Sequence, residues 1–431
     1  MYTLLAIAFI IGYIFIAFEH PLKIDKAASA ILTGVMCWVI LVIGQETIFP
    51  TTPEAHFIDE SILHHVGEIS QILFFLLGAM TIVELIDTHG GFEIITSKIK
   101  TTNRVKLLWI IGCVTFVLSS VLDNLTTTIV MATLLKKLMK DKEDIWFFGG
   151  IVVIAANAGG AWSPIGDVTT IMLWIGGQVT AVNIIKEVLL PSIICLAVPL
   201  VVLSFIKKGV IAKTTHLDHD NHKQIASSFE ASLILWLGVT GLLFVPVFKT
   251  LTHLPPFMGI LLSLGVLWIV TEIIHKNKPL EHRQNLSVAH VIRKVDTPSV
   301  LFFLGILLAV ASLQTGGLLT EVANLLNDTF GNIYIINIII GLISSIVDNV
   351  PLVAGAMGMY PLSLYPQNHE FWELLAYCAG TGGSTLIIGS AAGVAIMGIL
   401  KIDFLWYLKK ISWLAIMGYL AGVLTYYLLN I

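Results

Sequence analysis

SSVLDNLTTT, residues 119–128, sets an acid beside an amide, Asp123 and Asn124, inside an otherwise apolar stretch. SSIVDNVPLV, residues 344–353, repeats the arrangement with Asp348 and Asn349 after the same pair of serines. An ionised carboxylate at membrane depth is unfavourable by about 2.5 kcal/mol on insertion scales and by more in simulations. Two such acids in equivalent places imply a use, and we read them as mirrored halves of one cation site.

The rest of the chain makes these intramembrane acids. Of 431 residues, 56% are hydrophobic and only 12% charged, and the mean hydropathy is +0.90. This excludes an ordinary soluble protein and predicts an all-α polytopic membrane protein. Apolar runs at 2–18, 27–49, 69–87, 184–206, 231–248, 257–275, 298–314 and 411–430 are long enough, or nearly so, to cross a hydrocarbon core needing about 20 residues per helix. About ten full spans are expected. The first run has no basic residue before it and no small-residue cleavage pattern after it, and reads as a retained span. The net charge of −4 carries no information about partners; the expected surroundings are the lipid bilayer, with no nucleic-acid partner. Cys37, Cys113, Cys195 and Cys378 are scattered singly and read as packing residues.

Four further apolar segments are interrupted. Segments 107–139 and 332–361 break at the Asp-Asn pairs, and segments 145–178 and 372–400 break at glycine patches, AGGAWSPIGD and TGGSTLIIGS. Broken segments in matching positions of two halves are the strongest sequence pointer to a secondary transporter's binding site. The halves match elsewhere too: ILFFLLGAMTIVELIDTHGGF at 72–92 resembles VLFFLGILLAVASLQTGGL at 300–318, and Gly159, Gly160 and Gly166 fall on Gly382, Gly383 and Gly389. Three coincidences in one order indicate an internal duplication.

Lys98, Lys100, Arg104 and Lys106 precede the first Asp-Asn segment and Lys136, Lys137, Lys140 and Lys142 follow it, whereas no Lys or Arg occurs between Val295 and Leu400. By the positive-inside rule the first hairpin enters from the cytoplasm and the second from the opposite side, so the repeats are inverted. Loops 19–26, 207–230 and 276–297 then lie inside and both termini outside. The expected organisation is scaffold helices over 1–68, a first repeat over 69–206, a cytoplasmic linker over 207–230, linking scaffold helices over 231–297 and a second repeat over 298–431. His216, His219 and His222 in the linker read as part of a solvated loop rather than a metal site.

Backbone broken at membrane depth is tolerated only where it lines a cavity or is buried in protein. Asp123 and Asp348 at the breaks, with Asp167 closing the first glycine patch, would repel anions and attract a small cation. Hard cations prefer oxygen ligands, and Asn124, Asn349, Asn157, Thr126, Thr127, Ser163, Thr169, Ser384 and Thr385 complete the pool. Desolvation and like-charged neighbours bring buried carboxylates toward the working pH, so a proton and a metal ion compete for the same oxygens. Exchange follows if only the loaded carrier reorients. Local readings compete: Asp123-Asn124 and Asp167 could cap helices, with Ser390 in the place of Asp167 in the second patch. Glu84, Asp87 and His89 read as interfacial or turn residues, Glu187 as a local ion pair with Lys186, and Trp38, Trp109, Trp146, Trp174, Trp372 and Trp406 as interfacial belts.

SSVLDNLTTTIVMATLL, ANAGGAWSPIGDVTTIMLW and SSIVDNVPLVAGAMGMY resemble the signature segments of the NhaD-type sodium/proton antiporters, in the ion-transporter superfamily that also holds arsenite permeases and dicarboxylate carriers. The resemblance implies exchange of Na⁺ or Li⁺ for H⁺ across a bacterial inner membrane, no cofactor, no enzymatic activity, and a scaffold with a moving transport domain, commonly dimeric. It places Asp123-Asn124-Leu125 and Asp348-Asn349-Val350 at hairpin tips, where the dicarboxylate carriers have neutral Ser-Asn-Thr. The alternatives are an arsenite or anion carrier of the same superfamily and, more remotely, an intramembrane aspartyl protease.

Overall fold

In the computed structural model, residues 1–48, 57–99, 101–207, 209–211 and 226–431 are described. Segment 212–225, which holds the three linker histidines, lies outside them. Among the described residues the chain is helical, with one isolated bridge, Asn103 to Val210. Among the described residues nine helices are long and apolar enough to cross a membrane, or up to eleven if two sharply bent pairs each count as one. Tyr2–Ala17 is shorter, at 16 residues. The helix expected at 69–87 is longer than its apolar run: Phe57–Thr88 has 32 residues, about 48 Å at 1.5 Å per residue, because the polar turns at its start continue the helix beyond the hydrocarbon.

Each Asp-Asn pair ends one helix and begins another. Arg104–Val121 stops two residues before Asp123, which caps Asn124–Leu138. Ile333–Ile343 gives way to turns, and Asp348 caps Asn349–Met359. The first pair folds back on itself: Arg104, at its start, bonds Asp144 at 2.6 Å, and Asp144 lies in the first turn of the helix that follows the pair. The second pair is closed in the same manner by Tyr334 Oη, which donates to Glu370 Oε2 at 2.8 Å, at the start of its following helix.

Those following helices are the broken ones. Lys142–Ala161 is separated from Val168–Ile175 by the first glycine patch, and Glu370–Gly382 from Ala391–Leu400 by the second. The two broken segments run in opposite directions. At one end of the molecule Trp146 Nε1 donates to Leu400 O at 3.0 Å; at the other, Thr180 N donates to Asn368 Oδ1 at 2.7 Å. The start of each thus lies beside the finish of the other.

The duplicated glycines serve a duplicated contact. A side chain at Gly159 would strike the backbone of Phe116, and one at Gly382 the backbone of Gly341; Gly166 and Gly389 lie against Ser120 and Ser345 in the same relation. The serine pairs lace the same interface, with Ser119 Oγ donating to Ala156 O at 2.6 Å and Ser344 Oγ to Ala379 O at 2.9 Å. Only glycine permits such close backbone approach, and a hydroxyl paired with a buried carbonyl removes the penalty of leaving both unsatisfied. These contacts hold each hairpin tip against the break of its own half.

Lys26–Ile43 packs closely on Thr297–Thr315, where Gly34 and Gly305 bring the backbones together. Ala181–Ile206 and Ser412–Leu429 pack as a second pair, with Gly418 and Gly422 against the carbonyls of Cys195 and Pro191. Three cysteines are buried packing residues, while Cys113 is exposed on the outer surface of its helix. Trp38, Trp174 and Trp372 are buried in the protein, at 7%, 2% and 0% exposure; Trp372 Nε1 donates to Tyr365 O inside an aromatic cluster. Packing between helices there outweighs the attraction of the headgroup region. His89 sits in its expected turn, buried, bonded through Nδ1 to Leu85 O and stacked on His275.

Candidate functional site

The two hairpin tips and the two breaks meet at one place. Asp123, Asn124, Asp167, Asp348 and Asn349 line a single cavity, together with Lys26 and a wall of apolar side chains that includes Phe75, Leu122 and Phe303. Each acid is there for a local reason: Asp123, Asp167 and Asp348 are the N-caps of the helices that follow them, and Ser390 fills that place at the second break. Four helix N-termini are therefore gathered at the site, and their unpaired amides stabilise negative charge. Capping and ligand geometry coexist in the same carboxylates.

Asp167, 1% exposed, is the hub. Its Oδ2 accepts from Asn124 Nδ2 at 2.7 Å and its Oδ1 from Asn349 Nδ2 at 3.5 Å. Thr169 adds its backbone N–H at 2.9 Å and its hydroxyl at 2.7 Å. The amides of both tips thus converge on one carboxylate from the first break. Asn157 extends the link across the halves: Oδ1 accepts from Asn124 at 3.2 Å, and Nδ2 donates to Ser384 Oγ at 3.0 Å and to Ser390 Oγ at 2.9 Å.

The two tip acids differ. Asp123 is satisfied within its own turn, accepting from Thr126 N and Thr126 Oγ1, each at 2.7 Å. Asp348 is loosely held, by Val350 N at 3.4 Å and by the ammonium of Lys26 at 3.5 Å. Of the remaining expected ligands, Ser163 is a staple, donating to Ser120 O and accepting from Ile165 N. Thr127 and Thr385 are buried with hydroxyls that have no hydrogen-bond partner, an arrangement unfavourable by about 1–3 kcal/mol each, and neither is among the residues that line the cavity. Lys186 and Glu187 pair locally at 2.6 Å, and Glu84 and Asp87 stand apart from the cavity, as expected.

Lys26 is the residue that pattern reading misses. It follows a short polar stretch and opens an apolar helix, which makes it look like a loop charge at a membrane edge. Nothing local indicates that it reaches an aspartate 322 positions away.

Comparison with known proteins agrees with this architecture. The family described as citrate transporter matches residues 13–373. Two proteins of Arabidopsis thaliana named sodium/proton antiporter 1 and 2 are 49% and 48% identical to the chain, covering 98% of it and 71% and 98% of their own lengths. The Na⁺/H⁺ antiporter NhaD of Vibrio cholerae is 30% identical over 98% of the chain and 90% of its own length. The chain belongs to the citrate-transporter family and, within it, to the NhaD-type sodium/proton antiporters.

Proposed function

We propose that this protein exchanges Na⁺ or Li⁺ for H⁺ across a membrane, and that the two ions compete for the carboxylates of Asp123, Asp167 and Asp348. The observation that carries the site assignment is the convergence of Asn124 and Asn349 on Asp167. A bound ion at this carboxylate would draw on groups from both halves at once, so loading could change how the halves sit together. Protonation of a carboxylate removes both its charge and an acceptor site, which is the physical basis of the competition. Asn157, Thr126, Thr127, Thr169, Ser384 and Thr385 supply the remaining oxygens or orient the acids, and Ser163 holds the tip.

The two halves act as an inverted repeat, the first hairpin opening to the cytoplasm and the second to the other side. The antiparallel course of the broken segments supports this reading, as does the crowding of basic residues at the closed end of the first hairpin. Both termini then lie outside. A homodimer in a bacterial inner membrane is the expected setting, in line with the relatives that come from bacteria.

An anion reading draws on the family description and on Lys26. Three carboxylates against one ammonium disfavour it, because the cavity keeps excess negative charge when these groups are ionised. Proteoliposomes with an acidic interior separate the readings. Na⁺ or Li⁺ added outside should collapse the pH gradient, with an apparent KM for Na⁺ that falls as pH rises. A gradient untouched by both cations, together with uptake of citrate or arsenite, would reverse the assignment.

A further inference from the structure

Lys26 has a place in the cavity that the exchange scheme above does not use. It is the first residue of the helix Lys26–Ile43, whose backbone is anchored by the Asp25 carboxylate accepting from Ala27 N at 2.7 Å and by the close Gly34–Gly305 contact. The stem is therefore fixed at its root and only the side chain can swing. Its ammonium lies 3.5 Å from Asp348 Oδ2 and, on another side, 4.5 Å from the centre of the Phe302 ring. Lys26 and Asp348 also line a second cavity, bounded by Tyr13, Glu19 and Ser390. The ion pair is thus part of the wall between the two spaces.

We propose that Lys26 is a specificity-determining and positioning residue, whose tethered ammonium occupies the transported cation's place on Asp348 in the empty carrier and is displaced when that cation arrives. The proposal rests on the cation-exchange reading of the same cavity. Asp348 is the least anchored of the three acids, with one weak amide contact besides the ammonium, so its charge in the empty carrier is balanced chiefly by Lys26. An incoming Na⁺ competes with a cation of equal charge held at high effective concentration by its short stem. The displaced ammonium does not have to be left unpartnered, because the Phe302 face is within reach and attracts a cation. A smaller cation approaches the carboxylate more closely than a larger one and so competes better with an ammonium at 3.5 Å, which favours small, hard ions.

The test is Na⁺-driven proton flux in proteoliposomes holding the full chain, with initial rates measured against Na⁺ and K⁺ concentration for wild type, Lys26→Gln, Lys26→Met and Lys26→Arg. Removing the tethered competitor should lower the apparent KM for Na⁺ by about twofold to fivefold, the range expected from the strength of a partly exposed ion pair. The same two neutral variants should admit K⁺ more readily, and Lys26→Arg should keep a KM near that of wild type. Lys26→Met preserves the apolar stem, so it reports even if Lys26→Gln does not fold, and stabilisation of the purified protein by Na⁺ against heat gives a second, transport-free measure of affinity. A reduced maximal rate with unchanged KM, unchanged Na⁺ stabilisation and unchanged selectivity would make Lys26 a structural link and overturn the proposal. A raised KM in the neutral variants would overturn it as well. Absence of Na⁺-driven flux in wild type would instead overturn the exchange reading, which separates the two failures.

Discussion

At the scale of single residues, the site is a problem of satisfying charge without water. Asp167 is buried and accepts from four donors, which makes it the acid whose protonation or ligation most alters its neighbours. Asp167→Asn keeps the shape but replaces an acceptor pair by one acceptor and one donor, so both incoming amides can no longer be served. Exchange measured as Na⁺-dependent collapse of a pH gradient should fall by about a hundredfold or more, the scale of losing an acid-base group. Asn157→Ala leaves Ser384 Oγ without its donor and strips a bond from Asn124. Each buried group left unpaired is unfavourable by about 1–3 kcal/mol, so the variant should unfold at lower temperature in detergent as well as transport poorly.

At the scale of elements, the breaks are held open by close contacts between backbones. Gly159→Ala and Gly382→Ala both drive a methyl into the main chain of the facing helix, whereas Gly398 has nothing within 4 Å of an added Cβ. The first two variants should yield little monodisperse protein on fluorescence-detected size exclusion, and Gly398→Ala should match wild type. Equal damage at Gly159 and Gly382 is the expected sign that the two halves use the same joint. The Arg104–Asp144 pair closes the first hairpin; in the second a tyrosine stands in for the arginine, Tyr334 donating to Glu370.

At the scale of the whole molecule, the antiparallel broken segments give the fold two chemically different ends. Lys140 is exposed at one, beside the closed end of the first hairpin, and Gln367 at the other, bonded to Gly177 O. In a background with Cys113 replaced by Ala, Lys140→Cys should react with a membrane-impermeant thiol reagent only from the cytoplasmic side and Gln367→Cys only from outside. Reaction of both from one side would exclude the inverted arrangement. The helix Lys26–Ile43, packed on Thr297–Thr315, delivers Lys26 to the second tip, so the cavity is completed from outside the broken segments.

A helical membrane protein, the places where its helices break, the arrangement of the breaks in two similar sets and the position of Asp123, Asp167 and Asp348 at those breaks can all be read from the chain's letters. All of this is written locally, because an acid or a glycine patch in an apolar run stands out against its immediate neighbours. The tertiary structure alone decided the partners: that Asn124 and Asn349 both turn to Asp167, that Asn157 ties the first half to Ser384 and Ser390, that Ser163 is spent on a staple, and that Lys26 belongs to the site. Those contacts join residues tens to hundreds of positions apart. They depend on which helix faces pack together, which the hydropathy of a uniformly apolar chain does not encode, since lipid-facing and protein-facing surfaces are equally greasy.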